Sequence, residues 1–172
     1  DLDGVEGITE ADYQVIGNAY PDVLLSLQNT FSYKQWSLSF LLRSSIGNDV
    51  LNQSRVYYEG FGYFGTRNIL RSTLDHSNYK DGAYYSSRFV EDGSYLKVKN
   101  ITLSYDITSP KLKRINITRI QPYISLQNFI TWTGYSGYDP EVSQSESATQ
   151  MGIDWGTYPN VRTVVVGLNL TF

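Results

Sequence analysis

The sequence predicts an all-β fold in which antiparallel strands form a transmembrane β-barrel segment with long loops. Apolar and polar residues alternate at period two in several stretches of about ten residues, as in strands with one apolar and one polar face. Only 18% of the residues are charged and 15% are aromatic, whereas soluble domains carry about 25% charged residues. No stretch approaches the roughly 20 consecutive apolar residues of a membrane-spanning helix.

Five strands are predicted, near residues 22–33, 35–46, 94–106, 118–132 and 161–172. The first strand carries apolar or aromatic residues at its odd positions, apart from Asn29, and small polar residues at most even positions. The second repeats this pattern from Trp36 to Ile46. The fifth has apolar residues at every even position from Val164 to Phe172. Such alternation favours strands that are apolar on one side and wet on the other.

The third strand is less regular, because its apolar residues change phase between Val98 and Ile101. An extra residue in a strand flips the facing of every residue after it. We therefore expect a β-bulge near Lys99 and Asn100.

The connections between the predicted strands alternate between short and long. Strands one and two are joined around residues 34–35, and strands three and four around 107–117, whereas residues 47–93 and 132–160 form long loops. Outer-membrane barrels have short periplasmic turns and long extracellular loops. This parity predicts extracellular long loops and a periplasmic C-terminus.

An apolar face at period two is also typical of the inside of a soluble β-sandwich, so a secreted glycan-binding sandwich remains the alternative. Uncharged polar residues on the opposite faces favour a barrel with a polar lumen. Aromatic residues at the strand ends also favour a barrel, because they suit the membrane interface. The lumen-facing candidates are Ser26, Gln28, Thr30, Ser125, Gln127 and Asn169. Five strands cannot close a barrel, so further strands are expected from elsewhere.

Four stretches of the sequence carry a resemblance to a known family. They are VIGNAYPD at residues 15–22, SRFVEDGSYLKVKNITLSY at 87–105, LQNFITWTGYSGYDPE at 126–141, and the run from YPNVR to the final Phe at 158–172. Together they resemble the C-terminal end of SusC/RagA-type TonB-dependent transporters of Bacteroidota outer membranes.

The resemblance implies a 22-stranded barrel, of which this chain would supply about the last five strands. It further implies a plug domain, energy supplied by the TonB complex, and import of glycans or peptides with a SusD-like surface lipoprotein. The implied partners are thus the rest of the barrel and plug, that lipoprotein, TonB, outer-membrane lipid and the cargo. The chain is therefore expected to be a fragment of a longer protein.

The sequence favours a protein that is not an enzyme and has no cofactor. It contains no Cys and one histidine, His76, which excludes thiolate sites and two-histidine metal motifs. We interpret His76 as a loop histidine, although a small hydrolase would depend on it. The acidic pairs Glu91–Asp92 and Asp139–Glu141 are interpreted as turn-forming residues. The formal net charge of −3 gives no basic surface for nucleic acid.

The first residues resemble a calcium-binding loop only in part. Asp1, Asp3, Ile8 and Asp12 have the spacing of positions 1, 3, 8 and 12 of an EF-hand loop. Val5 and Glu6, however, replace the third acid and the required glycine. We therefore predict no metal site.

Aromatic residues in the loops are candidates for contacts with cargo or partner, chiefly Tyr135, Tyr138 and Trp155. Such rings offer a large contact area at a small entropic cost, but they also pack loops against one another. Lys97 and Lys99 either face the lumen or pair with loop acids, and the sequence does not decide between these alternatives.

Overall fold

The computed structural model describes residues 9–60, 64–76, 85–141 and 151–172. The strands and helices, in chain order, are β1 (Val23–Tyr33), β2 (Trp36–Ile46), β3 (Asp49–Asn52), α1 (Gln53–Tyr58), β4 (Val90–Asp92), β5 (Tyr95–Tyr105), α2 (Pro110–Lys113), β6 (Arg119–Thr133), β7 (Ile153–Asp154) and β8 (Thr163–Thr171). Short 3₁₀ helices lie at Glu10–Asp12, Arg71–His76 and Ser87–Phe89.

The five long strands form one sheet in the order β1-β2-β5-β6-β8. Every neighbouring pair is antiparallel. The tight turn between β1 and β2 places Lys34 at a φ of 54°, and β1 and β2 are in register from Tyr33 opposite Trp36 to Val23 opposite Ile46. The predicted fold class, about five antiparallel strands of a partial barrel, is confirmed.

One face of this sheet is apolar and uncovered. Directly opposite residues share a face, and one such row crosses all five strands through Phe31, Leu38, Leu103, Ile124 and Val166. All five side chains are exposed, Val166 to 77%. A β-sandwich would bury this face under a second sheet, and no second sheet covers it in the part of the chain that the structure describes.

The opposite face of the sheet is polar and almost uncharged. One row of directly opposite residues on this face contains Thr30, Ser39, Thr102 and Ser125. The Thr102 hydroxyl donates to Ser125 Oγ at 2.9 Å, and the Ser125 hydroxyl donates to Asn100 Oδ1 at 2.7 Å. Side-chain hydrogen bonds thus satisfy polar groups along the middle of this face.

The predicted bulge in β5 lies at Lys99 and is confirmed. Leu42 pairs with Val98 and Leu41 pairs with Asn100, which leaves Lys99 without a partner on β2. The pairing with β6 is interrupted at the same point. The extra residue reconciles the two hydrophobic phases of β5, because it flips the facing of all residues beyond it.

The long loops contain short elements that the sequence did not predict. Strands β4, β3 and β7 form a second, three-stranded sheet, and α1 begins directly after β3. Asn52 caps α1 by accepting a hydrogen bond from the Arg55 N–H at 3.0 Å. Strands of two to four residues are too short to show a period-two pattern, so they escape sequence analysis. Among the described residues, no helix has both the length and the apolar character needed to cross a membrane.

Candidate functional site

The lumen-facing candidates all lie on the polar face of the five-stranded sheet. They are paired as Ser26 with Arg43, Gln28 with Leu41, Thr30 with Ser39, Ser125 with Thr102, Gln127 with Asn100, and Asn169 with Gln121. The Asn169 amide also donates to Gln121 Oε1 at 3.1 Å. The register therefore places these residues on one surface. That this surface borders a lumen stays a prediction.

The few charged residues in the five long strands are all basic. They are Arg43, Lys97, Lys99 and Arg119, and these strands contain no Asp or Glu. Arg43 lies directly opposite Lys97. Like charges in this position destabilise a sheet, so an anion is needed between them.

Two acids from the loop after β6 supply that negative charge. We define the lysine cluster as Arg43, Lys97, Lys99, Asp139 and Glu141. The Lys97 ammonium lies 2.8 Å from Asp139 Oδ1 and 2.8 Å from Glu141 Oε2. Glu141 Oε2 also lies 2.8 Å from Lys99 Nζ, and its Oε1 lies 3.1 Å from Arg43 Nη1. Glu141 thus contacts all three cations.

The centre of the lysine cluster is buried. The Lys97 side chain is 1% exposed, and an ammonium group is tolerated there only because it is paired and hydrogen-bonded. Burial raises the pKa of Asp139, but the hydrogen bond from Lys97 and further donors outweigh it, so the pKa lies below its ordinary value. The same balance, with Lys97 and Lys99 as donors, lowers the pKa of Glu141. Both acids are therefore held in the charged form.

The interpretation of Asp139 as a turn-forming acid is correct but incomplete. Its Oδ1 accepts a hydrogen bond from the Glu141 N–H at 3.0 Å, which closes a local turn. Its Oδ2 accepts from the backbone N–H and the side-chain amide of Asn160. Asp139 and Glu141 also form ion pairs with Lys97, which resolves the open question about this lysine: it lies on the polar face and pairs with loop acids.

A second cluster of charges holds the long loops together, and we define the Glu59 cluster as Arg55, Glu59, Ser72, Arg88 and Glu91. The Glu59 carboxylate is 1% exposed and lies 2.8 Å from Arg55 Nε and 3.2 Å from Arg88 Nη2. Ser72 donates a hydrogen bond to it at 2.9 Å. Burial raises the pKa of Glu59, but the bonds from Arg55 and Ser72 outweigh this effect, and the net pKa is lowered.

Glu91 connects the Glu59 cluster to the loop after β6. Its carboxylate lies 2.7 Å from Arg55 Nη1 and accepts hydrogen bonds from the Ser136 N–H and hydroxyl, each at 2.8 Å. Residues 134–141 are therefore held by Glu91 at one end and by Lys97 at the other. Sequence analysis missed Arg55 and Arg88. Nothing local indicates the partner of Arg88, which is Glu59, 29 residues away.

The three aromatic loop candidates have different environments. Tyr135 is buried, and its hydroxyl donates to Asp154 Oδ2 at 2.7 Å. Burial and this bond raise its pKa. Tyr135 thus matches the alternative that the sequence left open, an aromatic side chain that packs the loops, because its ring is buried and its hydroxyl is engaged within the chain. Tyr138 and Trp155 are exposed, and Trp155 packs edge-on to Tyr57 with ring centroids 6.1 Å apart.

The remaining sequence-predicted residues gain no site. His76 ends the 3₁₀ helix Arg71–His76, and its side chain lies outside what the structure describes. Asp1, Asp3 and Ile8 also lie outside the described residues, whereas Asp12 accepts a hydrogen bond from the Thr9 N–H as part of a local cap. No group of three potential metal ligands occurs within residues 9–60, 64–76, 85–141 and 151–172.

A cavity of about 200 Å³ lies between residues 16–19 and the three-stranded sheet. Its lining is mostly apolar, with Leu51, Val90 and Ile153 among the contributing residues. Asp49 borders it, but its carboxylate accepts a hydrogen bond from the Asn18 N–H at 2.8 Å. We assign this cavity a packing role.

Comparison with known proteins supports the resemblance seen in the sequence. The chain is 31% identical over 184 residues to TonB-dependent receptor P3 of Formosa agariphila, and the match covers 100% of this chain and 18% of that receptor. It is 30% identical over 179 residues to TonB-dependent receptor SusC of Bacteroides thetaiotaomicron, covering 100% of the chain and 17% of SusC. The chain thus spans less than a fifth of the length of these relatives.

Solved structures show the same fold. The chain matches the RagAB peptide transporter with a TM-score of 0.75 and 24% identity over 90% of this chain and 17% of that chain. The RagAB peptide importer in the open-open state matches with a TM-score of 0.78 and 22% identity over 96% and 19%. No family profile matches the sequence. These relatives are receptors and transporters rather than enzymes, in agreement with the prediction of a non-enzyme.

Proposed function

We propose that this chain forms part of the barrel wall of a TonB-dependent outer-membrane importer. The cargo is an oligosaccharide or peptide, and a SusD-like surface lipoprotein delivers it. The observation that carries this proposal is the exposed, continuous apolar face of the five-stranded sheet behind a nearly uncharged polar face. The similarity to SusC and to the RagAB transporter supports it.

The apolar face is suited to contact lipid. In β8 every even residue from Val164 to Leu170 is apolar and exposed. Exposing such area to water costs about 25 cal/mol per Å², whereas lipid tails remove that cost. Aromatic rings mark one border of this face, where Trp36 packs on Tyr105 with centroids 4.7 Å apart. Trp132 marks the other border, as in the interface girdles of outer-membrane barrels.

The distance between these borders fits a bilayer. Trp132 is in register with Leu96, which pairs with Ser44, so eight residues of β2 separate the two borders. At about 3.4 Å per residue this is ~27 Å along the strand. A strand tilt of about 40° reduces it to ~21 Å, close to the ~25 Å apolar band of such barrels.

The edge strands of the sheet, β1 and β8, are expected to pair with additional strands. Among the described residues, β1 pairs only with β2, and β8 pairs only with β6. In lipid each unpaired backbone N–H or C=O costs several kcal/mol, so membrane strands occur in closed barrels. The rest of the barrel must therefore flank β1 and β8, and the polar face then borders the lumen, with its plug supplied elsewhere.

We assign the long loops to the outside of the cell, as in other outer-membrane barrels, where they would meet the cargo and the lipoprotein. The lysine and Glu59 clusters fix the loop after β6; Tyr138 in this loop and Trp155 directly after β7 are both exposed. Exposed aromatic rings of this kind are enriched where proteins bind partners. We therefore assign these two residues to contacts with the lipoprotein or the cargo.

Fractionation of the full-length protein tests this proposal. We expect an affinity-tagged protein to sediment with outer membranes, to need detergent for extraction, and to copurify with a surface lipoprotein. Deletion of its gene should abolish uptake of one class of oligomer. A protein that stays monomeric and folded in detergent-free buffer would contradict the proposal and favour the secreted β-sandwich.

A further inference from the structure

The lysine cluster carries more positive charge than its own acids neutralise. Three cations face two carboxylates, and Glu141 alone contacts Arg43, Lys97 and Lys99. Both Asp139 oxygens are engaged by Lys97 and Asn160. Counted over the residues that the structure describes, one positive charge therefore remains at the loop end of the polar face.

The excess charge lies on the two cations that reach solvent. The side chains of Arg43 and Lys99 are 47% and 24% exposed. An ammonium group has three N–H donors and a guanidinium has five, whereas the only acid that each contacts among the described residues is Glu141. Both side chains thus keep donors for a further acceptor.

The excess positive charge is confined to one end of the polar face. The fourth basic residue of the sheet, Arg119, lies at the opposite end and is matched by Asp106 at 2.7 Å. Between the two ends the polar face carries hydroxyl and amide groups. A single uncompensated charge on a low-dielectric wall attracts ligands of the opposite sign more strongly than it would in bulk water.

We infer that Arg43 and Lys99 form a subsite for a carboxylate on the transported oligomer, beside Glu141. All three cations already contact the Glu141 carboxylate, at 2.8–3.1 Å. A guanidinium can grip a second carboxylate with two parallel hydrogen bonds. This inference rests on the proposed function, because the polar face must border the path of the cargo. Uronic acids and acidic peptides both supply this group.

The test uses the full-length protein, purified in detergent, and calorimetric binding of matched probes. The probes are trigalacturonate against maltotriose, and a Glu-containing tripeptide against its Gln counterpart. We expect the double variant Arg43→Gln/Lys99→Gln to bind at least one acidic probe about tenfold more weakly, equivalent to about 1.4 kcal/mol. Binding of the neutral probes should not change. Added salt should weaken only the acidic probes.

Arg119→Gln is the matched control, because it removes a basic residue from the same face at the other end. Weakening confined to trigalacturonate identifies a sugar carboxylate, and weakening confined to the peptide identifies a peptide carboxylate. The inference is overturned if wild-type protein does not prefer acidic probes, or if Arg119→Gln has the same effect as the double variant. Unchanged membrane location and copurification of the lipoprotein would then leave the proposed function standing.

Discussion

Replacing Lys97 with methionine is expected to release the loop after β6 from the barrel wall. Methionine fills a similar volume but leaves Asp139 and Glu141 next to a buried apolar side chain. Removing one partner of a buried ion pair typically costs 3–5 kcal/mol, because the other charge stays desolvated. Lys97 is the first donor that lowers the pKa values of both acids against their burial, so the variant removes the cation that stabilises their charged forms.

Hydrogen exchange of the full-length protein measures this effect. The backbone N–H groups of residues 134–141, apart from Pro140, should exchange at least about a hundredfold faster in Lys97→Met, since each 1.4 kcal/mol corresponds to a factor of ten. Lys99→Met is the matched control: Lys99 also contacts Glu141 but is more exposed, and such pairs contribute about 1 kcal/mol or less. Equal exchange in the two variants would contradict the assigned role of Lys97.

Replacing Leu168 with arginine is expected to destabilise the protein if the apolar face contacts lipid. Leu168 is 57% exposed in the middle of β8. An exposed Leu in a soluble domain tolerates arginine with a change within about 0.5 kcal/mol. On the lipid face of a barrel, arginine near the midplane costs about 2–4 kcal/mol.

Asn169→Arg is the matched control, because it introduces the same side chain one residue further along, on the polar face. We expect it to leave the unfolding midpoint of the full-length protein in urea and lipid vesicles nearly unchanged. If Leu168→Arg left the stability unchanged, or if Asn169→Arg lost more stability than Leu168→Arg, the assignment of the two faces would be reversed.

The large sheet could be predicted because its information is local. Period-two alternation fixes the facing of each strand, and the phase change between Val98 and Ile101 was enough to locate the bulge at Lys99. The apolar face could be predicted for the same reason, although alternation alone did not distinguish a lipid-facing surface from a sandwich core. The uncovered row through Val166 favours the lipid-facing alternative.

The ion-pair clusters could not be predicted because their partners are far apart in sequence. Lys97 and Asp139 are 42 residues apart, and Arg88 and Glu59 are 29 residues apart. Nothing in the neighbouring sequence indicates that the carboxylates of Asp139 and Glu141 form ion pairs with lysines of β5. The burial of Tyr135 could not be predicted for the same reason, because its contact with Asp154 joins two distant parts of the loop after β6.

The lipid-facing role of the apolar face is tested most directly by the depth of single labels along β8. Single cysteines at residues 163–170 of the full-length protein, in a background without other cysteines, would carry a fluorophore and be reconstituted with nitroxide-labelled lipids. We expect strong quenching at Val164, Val166, Leu168 and Leu170 and weak quenching at the residues between them. Equal quenching at all positions, or none at the even residues, would contradict a barrel wall in the membrane.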